Sequence, residues 1–175
     1  MSDEKRLSSE EILEEIRQRR SEAIIDVDEQ TTQFVVASVG SDLLGLPGSL
    51  IREILPNTGI TYVPGVPDHF LGVINVRGDL QSVVDVARVL GLSRFPNAKM
   101  ERILITEVAG VSSGLLVDYV QDIVDMPASK ISDSIRHMEK ARSNYFIGEF
   151  DFKSQPVVML NVARLFEDLV GKRGE

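Results

Sequence analysis

The sequence predicts a mostly β protein: two small β-barrel lobes sharing an apolar seam, with short helices and an N-terminal helical extension. Three observations predict it. Short runs rich in β-branched residues alternate with strong turn signals at close spacing. Residues 70–92 read as strand, tight turn, strand and short helix. The same unit then recurs further along the chain.

The recurrence is a pair of echoes in the same order. Moving from 70 to 146, a shift of 76, lays Phe70-Leu71-Gly72 on Phe146-Ile147-Gly148, and Asp85-Val86-Ala87-Arg88 on Asn161-Val162-Ala163-Arg164. Moving from 34 to 103, a shift of 69, lays Phe34-Val35-Val36 on Ile103-Leu104-Ile105 and Gly45-Leu46 on Gly114-Leu115. It also lays Glu53-Ile54-Leu55 on Asp122-Ile123-Val124. The shift grows because the second half carries a longer loop, between Asp125 and Asn144. Coinciding glycines, acidic positions and the Val-Ala-Arg triplet point to a duplicated β unit. Closing each sheet on itself removes exposed edges. Each lobe alone would be marginal, so a continuous apolar seam between them is expected.

Composition narrows the function classes. The chain has 175 residues and 43% hydrophobic content, enough for a real core. A formal net charge of -8 argues against a nucleic-acid surface and against anionic membrane. No apolar stretch approaches the ~20 residues that span a bilayer, and no signal-peptide core opens the chain. There is no Cys, so disulfides, thiolate metal sites and cysteine nucleophiles are excluded. A cytoplasmic location is expected.

Taken in order, residues 1–31 form a helical extension and linker. Ser8 and Glu11 make a capping-box pattern, and Ile12, Leu13 and Ile16 a short apolar stripe. The segment is either a helix that docks on something or a frayed tail. Residues 32–172 form the body, with lobe one at about 32–92 and lobe two at about 101–170, strand exchange between lobes being allowed. Strands are expected at 33–39 and 43–46, then a helical turn capped by Ser49 and ending near Leu55, where Pro56 stops it. Pro64-Gly65-Val66-Pro67 is a stiff approach to the hairpin, whose turn is Arg77-Gly78-Asp79 and whose helix Asp85 can cap. Residues 93–100 read as a polar hinge. Strands follow at 102–108 and 113–124, then a polar stretch at 132–144, a last hairpin at 145–160, and a helix at 162–170 with Leu165, Phe166 and Leu169 on one face.

No chemistry-bearing constellation emerges. His69 and His137 lack a second ligand at metal spacing, and no nucleophile, P-loop or dinucleotide motif is present. Asp118 and Asp122 flank apolar strand residues and are expected to face solvent. No enzyme, cofactor or metal is expected. The polar tip formed by Asn75, Arg77 and Asp79 stands out in apolar surroundings. Arg77 can fork onto a partner carboxylate, or pair with Asp79 or Asp85 and merely fix the turn. Gly72 allows close backbone approach. Ile51 and Ile123 fit either core or interface, and Glu53 either a solvated charge or a contact.

At these residues the sequence resembles the CheW family of chemotaxis coupling proteins. The carriers are Gly72-Val73-Ile74-Asn75-Val76-Arg77-Gly78, Leu80-Gln81-Ser82-Val83-Val84-Asp85-Val86 and Leu90-Gly91-Leu92, with flanking similarity over about 33–169. The resemblance implies two SH3-like barrels of five strands each and a non-enzymatic adaptor. Its partners would be the cytoplasmic tip of methyl-accepting chemoreceptors and the regulatory domain of a CheA-type histidine kinase. Its place would be the inner face of the membrane, at receptor arrays, with no direct insertion. Receptor contact in the family falls around the groove between barrels and the hairpin, which carries over to Ile51, Glu53, Gly72, Asn75, Arg77 and Ile123. The chain departs from the family pattern at Ser82, where Pro is usual, and at Phe152-Lys153-Ser154-Gln155 in the last turn. These departures suggest, as alternatives, an adaptor of a non-flagellar pathway such as twitching or gliding. A reading from another class is a small-ligand-binding β module, supported only by the capacity of barrels to enclose ligands.

Overall fold

The structure is a computed structural model that describes residues 14, 29–95, 97, 99–136 and 144–171. The chain divides into two units, Met1–Thr31 and Thr32–Glu175. In the first, Glu14 is helical and exposed; the rest of the expected N-terminal helix lies outside the described residues.

Among the described residues the second unit has ten strands and two short helices. The strands are β1 (Thr31–Val39), β2 (Asp42–Pro47), β3 (Ile51–Pro56), β4 (Phe70–Val76), β5 (Asp79–Asp85), β6 (Arg102–Val108), β7 (Val111–Val117), β8 (Tyr119–Pro127), β9 (Phe146–Phe152) and β10 (Gln155–Leu160). The helices are α1 (Val86–Leu90) and α2 (Val162–Gly171). They form two five-stranded sheets, ordered β8-β1-β2-β10-β9 and β3-β6-β7-β5-β4. We call them barrel one and barrel two. Each therefore draws strands from both sequence halves: two from one half and three from the other.

The internal repeat holds down to the register. Val36 faces Gly45 in barrel one, and their images Ile105 and Gly114 face each other in barrel two. Met159 lies beside Gly45 in a parallel pair, as Val83 lies beside Gly114. Both β4–β5 and β9–β10 carry an irregularity at the same place, beside Gly72 and Gly148. There a bridge closes each barrel. Val73 exchanges backbone hydrogen bonds of 2.9 and 2.8 Å with Thr61, and Glu149 exchanges two of 2.8 Å with Ser132. Only glycine permits these closures. Gly72 has φ 141° and Gly148 φ 156°. A Cβ would meet the Thr61 carbonyl at 2.1 Å and the Ser132 carbonyl at 2.3 Å.

Strand alternation explains the unbroken apolar runs. Phe34 and Val36 turn into barrel one, while Val35, Ala37 and Val39 turn to the central core. Ile103 and Ile105 turn into barrel two, while Leu104 turns to the central core. A strand buried on both faces has no polar face to show. The central core takes residues from both sheets and both helices, so the expected shared seam is present. Asp85 caps α1 by accepting from the Arg88 amide, and Gly91 ends it at φ 62°. Leu165, Phe166 and Leu169 of α2 are buried together, as their spacing predicts.

Two expectations are corrected. The turn near Ser49 is a single 3-10 turn, Gly48–Leu50, without a side-chain cap, and residues 51–56 are strand β3. Pairing with β6 along Ile54, Leu55 and Pro56 outweighs any local helical preference. Asp118 is buried at 6% exposure, whereas Asp122 does face solvent.

Asp118 lies where the chain crosses from barrel two to barrel one, between β7 and β8. Its carboxylate accepts from the Gly40 amide at 2.7 Å, the Phe95 amide at 3.1 Å and Arg94 Nε at 2.9 Å. Arg94 also reaches Asp85 at 3.3 Å and pairs with Glu101. The residues read as a hinge thus hold one guanidinium among three buried carboxylates. Burial alone would raise the Asp118 carboxyl, but the two amides and the Arg94 guanidinium outweigh it and hold the group below its ordinary value. Burial likewise works against Arg94, yet the hydrogen bond to Asp118 and the three carboxylates raise it.

Gly72→Ala should destabilise the protein by at least about 2 kcal/mol more than Gly59→Ala in denaturant melts. Gly59 shares a positive φ, 144°, but a Cβ there has nothing within 4 Å. Arg94→Met should cost about 3–5 kcal/mol near neutral pH, because three carboxylates lose their shared cation. Asp118 titrates lower folded than unfolded, so its contribution is full above about pH 4 and fades as the pH falls toward the folded value. Urea melts across that range should show a shallower acid dependence for Asp118→Asn than for the wild type.

Candidate functional site

The β4–β5 hairpin ends in a two-residue turn, Arg77 at φ 54° and Gly78 at φ 97°. Positive φ at both positions suits the twist of a tight hairpin. An arginine there is costly by roughly 1–2 kcal/mol relative to glycine-like freedom. Asn75 offsets part of it, its side-chain oxygen accepting from the Gly78 amide at 2.8 Å. Asp79 is therefore the first residue of β5 and not part of the turn.

Arg77 pairs with neither Asp79 nor Asp85. Its Nη2 donates to Glu53 Oε1 at 3.1 Å, across the mouth of barrel two. Asp85 is engaged by Arg88 and Arg94 instead. The Arg77 side chain is 81% exposed and that of Glu53 29%. An ion pair this open contributes little to stability.

Under this pair runs a groove of about 340 Å³, between β3 with its following loop and the end of β4. Glu53, Asn75 and Arg77 form its polar lip; Leu55, Ile74, Val76 and Ile103 form its floor. It lies where the two edge strands of barrel two diverge beyond the Thr61–Val73 bridge.

The structure thus brings three of the six candidate residues together. Gly72 lies at the barrel closure and lines a different cavity, of about 220 Å³, with His69, Phe70 and Leu169. Ile51 opens β3, half-buried against the central core. Ile123 is on β8 of barrel one and 51% exposed. The floor residues were not legible as a site, because each reads as ordinary core. Ser82 sits inside a sheet, between β4 and β7, where its hydroxyl meets that of Ser113 at 2.9 Å.

The repeat places a second basic–acidic pair at the other hairpin tip. Lys153 is the image of Arg77 and Asp122 that of Glu53, and Lys153 Nζ lies 3.9 Å from the Asp122 carboxylate. Lys153 and Ser154 occupy positive φ, 49° and 63°, without any glycine. Among the described residues no cluster of three or more His, Cys, Asp or Glu side chains could hold a metal ion. Among them, too, no helix is long and apolar enough to cross a membrane.

Fold and groove together define the class: a strand-exchanged pair of SH3-like barrels with a charged hairpin over an open seam. The chain belongs to the CheW-like domain family, whose model matches residues 33–170. It is 31% identical over 118 residues to the protein PilI of Pseudomonas aeruginosa, covering 67% of this chain and 66% of that one. It is 26% identical over 154 residues to the chemotaxis protein CheW of Thermotoga maritima, covering 85% and 89%. The crystal structure of the scaffolding protein TtCheW from Thermoanaerobacter tengcongensis superposes with a TM-score of 0.68 at 24% identity, covering 78% of this chain and 88% of that one.

Proposed function

We propose that this protein is a non-enzymatic adaptor that couples chemoreceptors to a CheA-type histidine kinase. It would work in the cytoplasm at receptor arrays, with the Glu53–Asn75–Arg77 lip touching the cytoplasmic receptor tip. The observation that carries this reading is the coincidence of a CheW-like domain over residues 33–170 with a charged lip over an apolar groove. A guanidinium offers five donors in a fixed fork. Arg77 can therefore keep Glu53 and still receive a partner carboxylate. Holding Arg77 in a left-handed turn aims it outward before any partner arrives, and this lowers the ordering cost of binding. Ile51, Gly72 and Ile123, which the family resemblance carries over as receptor contacts, lie apart from this lip: Gly72 at the barrel closure, Ile51 against the central core and Ile123 on barrel one, so the proposed contact is centred on Glu53, Asn75 and Arg77. The kinase regulatory domain would occupy another surface.

A narrower version places the adaptor in a non-flagellar chemosensory pathway. Its support is that PilI of Pseudomonas aeruginosa and FrzA of Myxococcus xanthus, neither carrying the name CheW, match this chain alongside proteins that do.

Arg77→Asp should weaken binding to a soluble chemoreceptor cytoplasmic fragment at least tenfold, as read by calorimetry. Aspartate tolerates the left-handed turn, so stability should stay within about 0.5 kcal/mol of the wild type. Unchanged affinity would remove Arg77 from the contact.

A further inference from the structure

The two barrels are images of each other in topology and register, yet their seams differ in what fills them. In barrel one the seam is occupied by aromatic rings. Phe34 and Phe150 lie with ring centroids 5.0 Å apart, and Phe152 packs against the same cluster with Met126. The repeat maps Phe34 to Ile103, Phe150 to Ile74 and Phe152 to Val76. Each ring is thus replaced by an aliphatic side chain at the matching place in barrel two, and there the groove of about 340 Å³ opens. It reaches deep, because Ile103 on its floor is only 1% exposed.

We infer that the seam of barrel two is an insertion pocket: it takes one leucine- or phenylalanine-sized side chain from a helix of the docking partner, with an acidic residue about one helical turn away on Arg77. This rests on the docking reading above and adds to it a place within one barrel, distinct from the groove between barrels. The chemistry of the occupant follows from the walls. Aliphatic side chains line the floor, so the inserted group is apolar. The lip carries Arg77, 81% exposed, so a carboxylate beside that group is favoured. An added β-strand fits poorly. Pro56 has no N–H to give it, and the outward amide and carbonyl of Val73 are already spent on Thr61. A helix presents an apolar and an acidic side chain on one face at spacings of three or four residues.

Barrel one supplies the test, because its own residues are the plug. Val76→Phe and Ile74→Phe each graft a barrel-one ring into barrel two. The probe is a soluble chemoreceptor cytoplasmic fragment, titrated into the full chain. Either graft should weaken binding at least tenfold with the melting temperature unchanged or raised. In the wild type, the Ile74 and Ile103 methyl resonances should shift on adding the fragment, a readout that needs no variant to fold. Grafts that melt normally and bind as the wild type, or methyl groups that do not shift, would overturn the insertion pocket. If Arg77→Asp abolishes binding while the grafts leave it intact, docking at the lip stands and the pocket falls. If the grafts, Arg77→Asp and the methyl resonances all leave binding untouched, both fall.

Discussion

The arrangement depends on a carboxylate buried at a crossing. Asp118 follows β7 of one barrel and precedes β8 of the other, and it holds the Gly40 turn of β1–β2 and the Arg94–Phe95 segment at once. The barrels also meet through the apolar side chains of the central core, which attract without direction. The Asp118–Arg94 contacts are directional and charge-assisted, and they tie three chain segments from both halves together. With Asp85 and Glu101 on the same guanidinium, the strap from β5 to β6 becomes a tie and not a free linker. The lip and groove stand on that frame.

Much of the fold was legible because the repeat is written in residue types with definite backbone roles. Gly72 and Gly148 mark the two closures, Gly45 and Gly114 the matching ladder positions, and Asp85 the helix cap. Partners within a hairpin were legible, β4 with β5 and β9 with β10 among them, but partners distant in the chain were not. Every strand with both faces buried looks alike in sequence, so nothing in Phe34-Val35-Val36 says that β1 also lies beside β8. The helical turn expected before Leu55 failed for a related reason. Its residues suit either state locally, and β6 decides the outcome. Asp118 carried a signal that could have been weighed differently: an acid inside an apolar run that is buried on both faces has no solvent to face, and must have partners.

The site divides in the same way. Asn75 and Arg77 announce themselves as polar residues at a tight turn within apolar sequence. The pairing of Arg77 with Glu53 does not, because it spans the mouth of a barrel whose closure only the register reveals. Leu55, Ile74, Val76 and Ile103 matter through what is absent above them. Their role becomes visible only beside the aromatic residues that stand in the same places in the other barrel.

The exchange of strands has a consequence for the single repeat. A single repeat, β1 to β5, owns two strands of one barrel and three of the other. Alone it would leave both sheets unfinished, with open edges and an uncovered apolar face. Those edges would be satisfied by a second copy related by a two-fold axis, each lending the other its missing strands. A repeat of this kind is therefore complete only as one of a pair. With both repeats in one polypeptide the two sides need not be identical, and one interior holds rings where the other holds aliphatic side chains.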